Sequence, residues 1–256
     1  SCFRHPARIA KRVLSAPSQM TSMFRFPCNI SDRFILVHVG KCAGGTISRE
    51  LSMAGFNFEC VHLRKPPLDC SFNYIILIRD PVERFVSAFC WRKHILSSRF
   101  KNEKAPFNRD LSNLKNSMEL EFLSHYQNAN QLAEEIDPFH PNRGLHGSLG
   151  LIHLIGHVPT GFSWYLGDLL EHPSRKKIIA AIAVESLPRD LDTVFGIKSI
   201  FKDKSNYPEK DHYLSDQARR NLADLFSSEY RALKKLSLCL CEGRGYRPDL
   251  LDKLTD

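Results

Sequence analysis

Residues 34–46, with the sequence FILVHVGKCAGGT, decide the fold class of this chain. Phe34–Val39 is a nearly continuous apolar run, which is typical of a strand buried on both faces of a parallel sheet. A glycine-bearing loop at 40–45 follows, and Thr46–Ala54 predicts a helix that Gly55 ends. A strand that leads through a glycine-rich turn into a helix is the first unit of an α/β fold.

A second strand-to-helix unit lies further along the chain. Tyr74–Ile78 predicts a buried strand, and Asp80 is a suitable N-cap for the helix that follows. Pro81 suits the first helical position, and Glu83 stands where a capping box places its acid. The apolar face of this helix contains Val82, Phe85, Val86 and Phe89.

The remaining pattern predicts a single domain at 34–256, preceded by a basic N-terminal arm or leader at 1–33. We expect an α/β, P-loop-like three-layer fold, in which helices flank a central parallel sheet, with a helical insertion at about 97–175. The further predicted strands are Phe58–Leu63 and Lys177–Val184, and the further predicted helices are Leu114–Glu135, Trp164–Glu171, Leu187–Phe195 and a long helix from Ser215 to about Leu236.

Composition narrows the class of protein. No stretch reaches the roughly 18 consecutive apolar residues of a membrane span, so we expect a soluble protein. The net charge of +8 favours anionic partners without selecting one. Residues 1–31 contain no acidic residue, as in a transit peptide or a flexible arm. We expect a cytoplasmic location, or the Golgi lumen or an organelle if an N-terminal signal is missing from the sequence.

The cysteines do not predict a metal site. None of the eight belongs to a CxxC pair, and no histidine cluster has zinc-ligand spacing. We therefore expect no metal. We favour free thiols, although Cys60 and Cys70 could form a disulfide in an oxidising compartment.

The loop after the first strand has the features of an anion site. Backbone N–H groups converge at a helix N-terminus, where the helix dipole favours negative charge. Gly44 and Gly45 let the backbone approach a phosphate, Lys41 adds a charge, and Thr46 and Ser48 add hydroxyl donors. The alternative is a turn that needs glycine only for its backbone angles. The loop is not a Walker A motif, because the lysine precedes the glycines.

The second unit predicts another phosphate contact. Arg79 ends a strand and can bind a phosphate with two parallel hydrogen bonds, and Ser87 lies two turns into the next helix. The alternative for Arg79 is a salt bridge to Asp80 or Glu83. Arg84 shares the face of Ser87, and its alternative is an exposed helix surface.

Together, Lys-x-x-Gly-Gly-Thr and Arg-Asp-Pro-x-x-Arg-x-x-Ser resemble the motifs of the 3′-phosphoadenosine 5′-phosphosulfate (PAPS)-dependent sulfotransferase family. The resemblance is greatest to its carbohydrate sulfotransferases and their bacterial and algal relatives. It implies that the first loop, one residue longer here than is usual, holds the 5′-phosphosulfate and the second motif holds the 3′-phosphate. The residues assigned to donor binding are Lys41, Cys42, Ala43, Gly44, Gly45, Thr46, Ile47, Arg79, Arg84, Ser87 and Arg244.

The resemblance implies transfer of a sulfuryl group to a hydroxyl or amine of a small-molecule or carbohydrate acceptor, with release of 3′,5′-adenosine bisphosphate (PAP). We assign Lys41 to stabilising the leaving oxygen. A general base is also needed, and the candidates, in order, are His62, Glu50 and His157. For each histidine, the alternative is a hydrogen-bonded residue of the core or surface.

Two other functions compete with this interpretation. An ATP-dependent, P-loop-like kinase would use Asp80 on Mg²⁺, but Asp80 is better explained as an N-cap. A non-enzymatic polyanion-binding protein would fit the positive charge, and 92–104 is mildly basic. No nucleic-acid-binding signature accompanies it, so we expect no nucleic-acid partner.

Overall fold

The computed structural model describes residues 33–101, 114–136, 151–198 and 212–254. Short 3-10 turns precede and follow the last strand. The strands are β1 Phe34–His38, β2 Phe58–Val61, β3 Asn73–Ile78 and β4 Ile178–Ala183, and the helices are α1 Gly44–Met53, α2 Pro81–Lys101, α3 Leu114–Ser124, α4 Ala129–Glu135, α5 Phe162–Glu171, α6 Leu187–Phe195, α7 Asp216–Leu225, α8 Ser227–Gly243 and α9 Asp249–Lys253.

The four strands form one parallel sheet in the order β2-β1-β3-β4, with helices flanking it. Val37 on β1 lies opposite Val61 on β2 and Ile76 on β3. The prediction of an α/β fold with a central parallel sheet is therefore confirmed. Because all four strands run the same way, the loops after β1, β2 and β3 emerge at the same edge of the sheet.

Two long predicted helices are each divided in the structure. The prediction of one helix over Leu114–Glu135 is wrong, because α4 starts anew after Asn128, whose side chain accepts a hydrogen bond from the N–H of Gln131. The helix after Ser215 ends at Leu225, and α8 begins at Ser227. Phe226 at this break is buried, and its ring centroid lies 5.8 Å from that of Phe85 on α2.

Two apolar clusters fill the interior. The first surrounds the sheet and includes residues of α1, α5, α6 and α8. The second lies between α2, α3, α4 and α7. Within the predicted insertion, α3 and α4 belong to the second cluster, whereas α5 packs on the sheet. The second cluster also includes α7, which lies beyond the predicted end of the insertion.

The described residues contain no helix that is long and apolar enough to cross a membrane. Among them, six cysteines are free thiols, including Cys60 and Cys70. The predicted basic leader, apart from Arg33, and residues 102–113 and 137–150 of the predicted insertion lie outside the described residues.

Candidate functional site

The loop between β1 and α1 leads into a helix whose N-terminus has no side-chain cap among the described residues. Lys41 and Ala43 have left-handed backbone angles, with φ of 71° and 55°. This brings the first turn of α1 forward to Gly44, two residues before the predicted start at Thr46. No side chain of the described residues caps this turn. Since the first N–H groups of a helix have no acceptor within the helix, this end of α1 can bind an anion.

The two glycines of this loop have different surroundings. A Cβ on Gly44 would lie 2.1 Å from the ring of His38, so Gly44 is required for β1 and α1 to pack together. A Cβ on Gly45 would meet no atom of the described residues within 4 Å. Gly45 is exposed in the first turn of α1. Of the two glycines, Gly45 therefore leaves free space in front of the helix N-terminus.

Two cations lie beside this helix end. The Nζ of Lys41 lies 4.7 Å from the ring centroid of Trp91, and Arg79 Nη1 donates to the carbonyl oxygen of Lys41 at 3.3 Å. Burial, and then the charge of Arg79, lower the pKa of Lys41 to about 8. In the part of the chain that the structure describes, neither cation has a carboxylate within salt-bridge distance, and Arg79 Nε is buried without a partner.

The N-terminus of α2, at the end of the neighbouring strand, is capped as predicted. Asp80 Oδ1 accepts from the N–H groups of Val82 at 2.9 Å and Glu83 at 3.1 Å, and Oδ2 accepts from the hydroxyl of Tyr230 at 3.1 Å. In the predicted capping box, the side chain of Glu83 would accept the N–H of Asp80. That N–H donates instead to Glu185 Oε1, at 3.0 Å. Asp80 is thus fully engaged in fixing α2, and Arg79 forms no salt bridge with it.

Three histidines stack beside the Lys41 loop. The ring centroids of His38 and His62 lie 4.2 Å apart, and those of His62 and His157 lie 6.0 Å apart. His62 and His157 were predicted as candidate bases, whereas His38 was not. The available signal was its position as the last residue of a strand that leads into the anion loop. Within the described residues, no group of three or more histidine, cysteine, aspartate or glutamate side chains is arranged to hold a metal ion.

One hydrogen bond defines the tautomer of His62. Its Nδ1 lies 3.0 Å from the carbonyl oxygen of His38, and a carbonyl can only accept, so Nδ1 carries the proton. In the neutral ring, Nε2 then has the free lone pair. Burial, followed by neighbouring positive groups, lowers the pKa values of His38 and His157 to about 4, so both are neutral near pH 7.

The other residues assigned to the first loop divide by burial. Cys42 and Ile47 are buried in the sheet core, so only their main-chain groups can face a ligand. Burial raises the pKa of the Cys42 thiol to about 12, which keeps it protonated. Thr46 and Glu50 are half-buried on α1, with Thr46 in its first turn. Ser87 is half-buried on α2, one turn before Trp91.

The remaining two arginines assigned to donor binding lie in different surroundings. Arg84 is 1% exposed, so the alternative of an exposed helix surface is wrong; its guanidinium donates to the carbonyl oxygens of His157 at 2.6 Å and Val158 at 3.4 Å. Arg244 is exposed after α8, beside the start of β4, where the Tyr246 N–H donates to the carbonyl oxygen of Ile179. Five residues of strand separate this end of the sheet from the Arg79 end, which is a distance of about 16 Å.

No known protein-family model, curated protein or solved structure matches this chain.

Proposed function

We propose that this protein is a PAPS-dependent sulfotransferase that acts on a hydroxyl or amine of a small-molecule or carbohydrate acceptor. The observation that carries the proposal is the pairing of Lys41 with Arg79 beside the uncapped N-terminus of α1. Two partly buried cations with no carboxylate of the described residues within salt-bridge distance repel each other, and a bound anion would relieve that repulsion. A ligand with phosphates at two positions matches two such groups at the ends of adjacent strands.

The donor would lie along the edge formed by the ends of β1 and β3. The N–H groups of Gly44 and Gly45, with Lys41 and the hydroxyl of Thr46, would bind the 5′-phosphosulfate. Arg79, whose Nε lacks a partner, would bind the 3′-phosphate with Ser87. A kinase is less well supported, because capping bonds and Tyr230 engage both carboxylate oxygens of Asp80.

In the proposed reaction, Lys41 stabilises the leaving group and His62 is the general base. The acceptor oxygen attacks sulfur, the bond from sulfur to the 5′-phosphate oxygen breaks, and the electron pair moves to that oxygen, where Lys41 stabilises the charge. The acceptor proton moves to Nε2 of His62, whose Nδ1–H remains bonded to the His38 carbonyl. His62 is favoured over His157 as the base, because the low pKa of His157 makes it a weak proton acceptor.

Calorimetry with PAP, AMP and ATP tests donor recognition directly. We expect PAP to bind at least tenfold more tightly than AMP, because only PAP carries the 3′-phosphate for Arg79. Equal affinity for all three would indicate a general polyanion binder. Preferential binding of ATP that requires Mg²⁺ would support the kinase.

Transfer is then measured with sulfur-labelled PAPS against phenols, amines, simple sugars and sulfated or carboxylated glycans. We expect label to appear in one acceptor class together with an equal amount of PAP. PAP binding without transfer to any class would contradict the enzymatic proposal.

A further inference from the structure

The turn at residues 155–158, called here the His157 turn, holds a strained residue beside the Lys41 loop. His157 has a φ of 74°, a left-handed conformation that is unfavourable for a residue with a side chain. The Val158 N–H closes the turn on the carbonyl of Ile155 at 3.0 Å. Such a conformation persists only where the surroundings enforce it, so the groups that hold the turn bear on what it does.

Two arginines on α2 and one acid on α3 hold this turn. Arg84 donates to the carbonyl oxygens of both His157 and Val158. Two turns further along α2, Arg92 donates to both oxygens of Glu119, at 2.7 and 2.5 Å. Glu119 is completely buried and also accepts the N–H of Gly156 at 2.8 Å. The main chain on both sides of the His157 ring is therefore bonded to charged, buried side chains.

The held ring closes one side of the Lys41 loop. A Cβ on Gly40 would lie 2.5 Å from Nδ1 of His157, so the ring packs directly on the loop backbone. Its centroid lies 5.1 Å from that of Trp91, whose ring also lies beside the Lys41 amine. On its other side is the ring of His62, with centroids 6.0 Å apart. The His157 ring thus lies between the proposed leaving-group stabiliser and the proposed base.

We propose that Arg84 is a positioning residue that holds the His157 turn, so that the His157 ring forms the wall between Lys41 and His62 against which the acceptor is oriented. This inference rests on the proposed function for the role of the wall. The terminal nitrogens of the Arg84 guanidinium donate to main-chain carbonyls, and Phe162 lies over it, 5.7 Å from ring centroid to Cζ. Its Nε, like that of Arg79, is buried without a partner among the described residues, so the test below also measures phosphate binding.

The central test compares Arg84→Lys with wild type in the full chain. Lysine keeps the charge but cannot donate to two carbonyls in a fixed fork. The turn should therefore become less rigid, and the His157 ring should become more exposed to solvent. The matched control is Glu83→Gln, which changes the neighbouring residue and removes only an exposed pair with Arg219.

The first readout is the titration of His157, followed by NMR of protein labelled in its histidine rings. The charged groups that face the ring are Lys41, His62, Arg84 and Arg92, and all of them disfavour its protonation. In wild type we expect a pKa near 4. In Arg84→Lys we expect it to rise by about one unit or more towards 6.5, as desolvation is relieved. An unchanged titration would overturn the positioning role, and this readout does not depend on any activity.

The second readout separates positioning from phosphate binding. We expect Arg84→Lys to lower kcat/KM for the acceptor about tenfold, through orientation, while the Kd for PAP stays within about threefold of wild type. A tenfold weaker PAP complex with an unchanged His157 titration would make Arg84 a phosphate ligand and overturn the proposal. If wild type does not bind PAP, the proposed function fails, whereas the His157 titration still decides whether Arg84 holds the turn.

A second variant covers the case in which Arg84→Lys does not fold. Glycine accepts a φ of 74° without strain, so His157→Gly should melt no lower than wild type. The variant also identifies the His157 signal by its disappearance. We expect it to lose about tenfold or more in acceptor kcat/KM, with PAP affinity retained. Full turnover by His157→Gly would show that the wall is not needed and would overturn the proposal.

Discussion

Helices α1 and α2 begin at the ends of neighbouring parallel strands, yet their N-termini are satisfied in different ways. At α2, Asp80 accepts two N–H groups of the first turn and is itself fixed by Tyr230. At α1, the N-cap is Ala43, and within the described part of the chain no side chain accepts a hydrogen bond from the first turn. The α1 end instead has two cations beside it, Lys41 and Arg79.

The difference indicates which helix end is available to an external anion. An internal carboxylate satisfies the α2 dipole, and Glu229 on α8 does the same for α5 by accepting from the Phe162 N–H and the Ser163 hydroxyl. At α1 the same electrostatic demand is unmet and is increased by the neighbouring cations. The fold therefore stabilises α2 and α5 internally, and at α1 we propose that a bound anion does so.

The largest expected effect is on turnover, from Lys41→Met. Removing the charge at the leaving oxygen should lower kcat by about 10²–10³, or roughly 3–4 kcal/mol of transition-state stabilisation. The melting temperature should stay the same or rise, since a partly buried charge next to Arg79 is lost. The control is Lys65→Met, which removes an exposed lysine paired with Asp168. Turnover within twofold of wild type would exclude the assigned role of Lys41.

The paired variants Gly44→Ala and Gly45→Ala separate packing from ligand binding at α1. Alanine at 44 would clash with the His38 ring, so we expect a loss of roughly 1–3 kcal/mol in the free energy of unfolding. Alanine at 45 meets no protein atom and should leave stability unchanged or up to about 1 kcal/mol higher. Its methyl group would instead occupy the ligand space and weaken PAP binding about tenfold.

Urea unfolding and calorimetry on both glycine variants provide the measurements. Wild-type PAP affinity in Gly45→Ala would mean that the space in front of α1 is not where the ligand binds.

At α2, Asp80→Ala should act on stability. We expect it to cost about 1–2 kcal/mol of unfolding free energy, because two first-turn N–H groups lose their acceptor and the Tyr230 hydroxyl loses its partner. Asp80→Asn keeps a capping oxygen and should cost less than half as much. Asp80→Ala should therefore lower stability, whereas Lys41→Met, which neutralises a charge at the end of α1, should leave stability unchanged or raise it. If urea titrations show that Asp80→Ala does not change the free energy of unfolding, the contrast between the capped N-terminus of α2 and the uncapped N-terminus of α1 is removed.

Local rules predicted much of this arrangement. The apolar runs located all four strands, and Leu187–Phe195 forms a helix with the predicted bounds. Asp80 followed by Pro81 predicted the capped start of α2. The start of α1 was missed by two residues, because Ala43 adopts a left-handed angle that is rare for alanine and that no local pattern indicates.

Contacts between distant segments could not be read from the sequence. Arg84 was assigned to donor binding, with an exposed helix surface as the alternative, and it is buried because the His157 turn, 73 residues away, covers it. Similarly, the role of His38 at the site depends on His62, 24 residues later. The carbonyl oxygen of His38 accepts a hydrogen bond from Nδ1 of His62. Arg244 was assigned from a short motif alone, and its place beside the start of β4 depends on the pairing of Tyr246 with that strand.

The smallest expected effect is the uptake of a fraction of a proton when PAP binds, and it tests the electrostatic account of α1 most directly. Because the pKa of Lys41 is lowered to about 8, roughly half of the free protein carries a neutral Lys41 at pH 8. A bound phosphosulfate or phosphate favours the charged form and raises this pKa, so binding takes up a proton. We expect an uptake of up to about 0.5 proton per PAP at pH 8, measured by calorimetry in buffers of different ionisation enthalpy. The uptake should disappear in Lys41→Met and persist in Lys65→Met. Because His38 and His157, with pKa values near 4, are neutral at pH 8, equal uptake in Lys41→Met would place the titrating group elsewhere and remove the electrostatic distinction between α1 and α2.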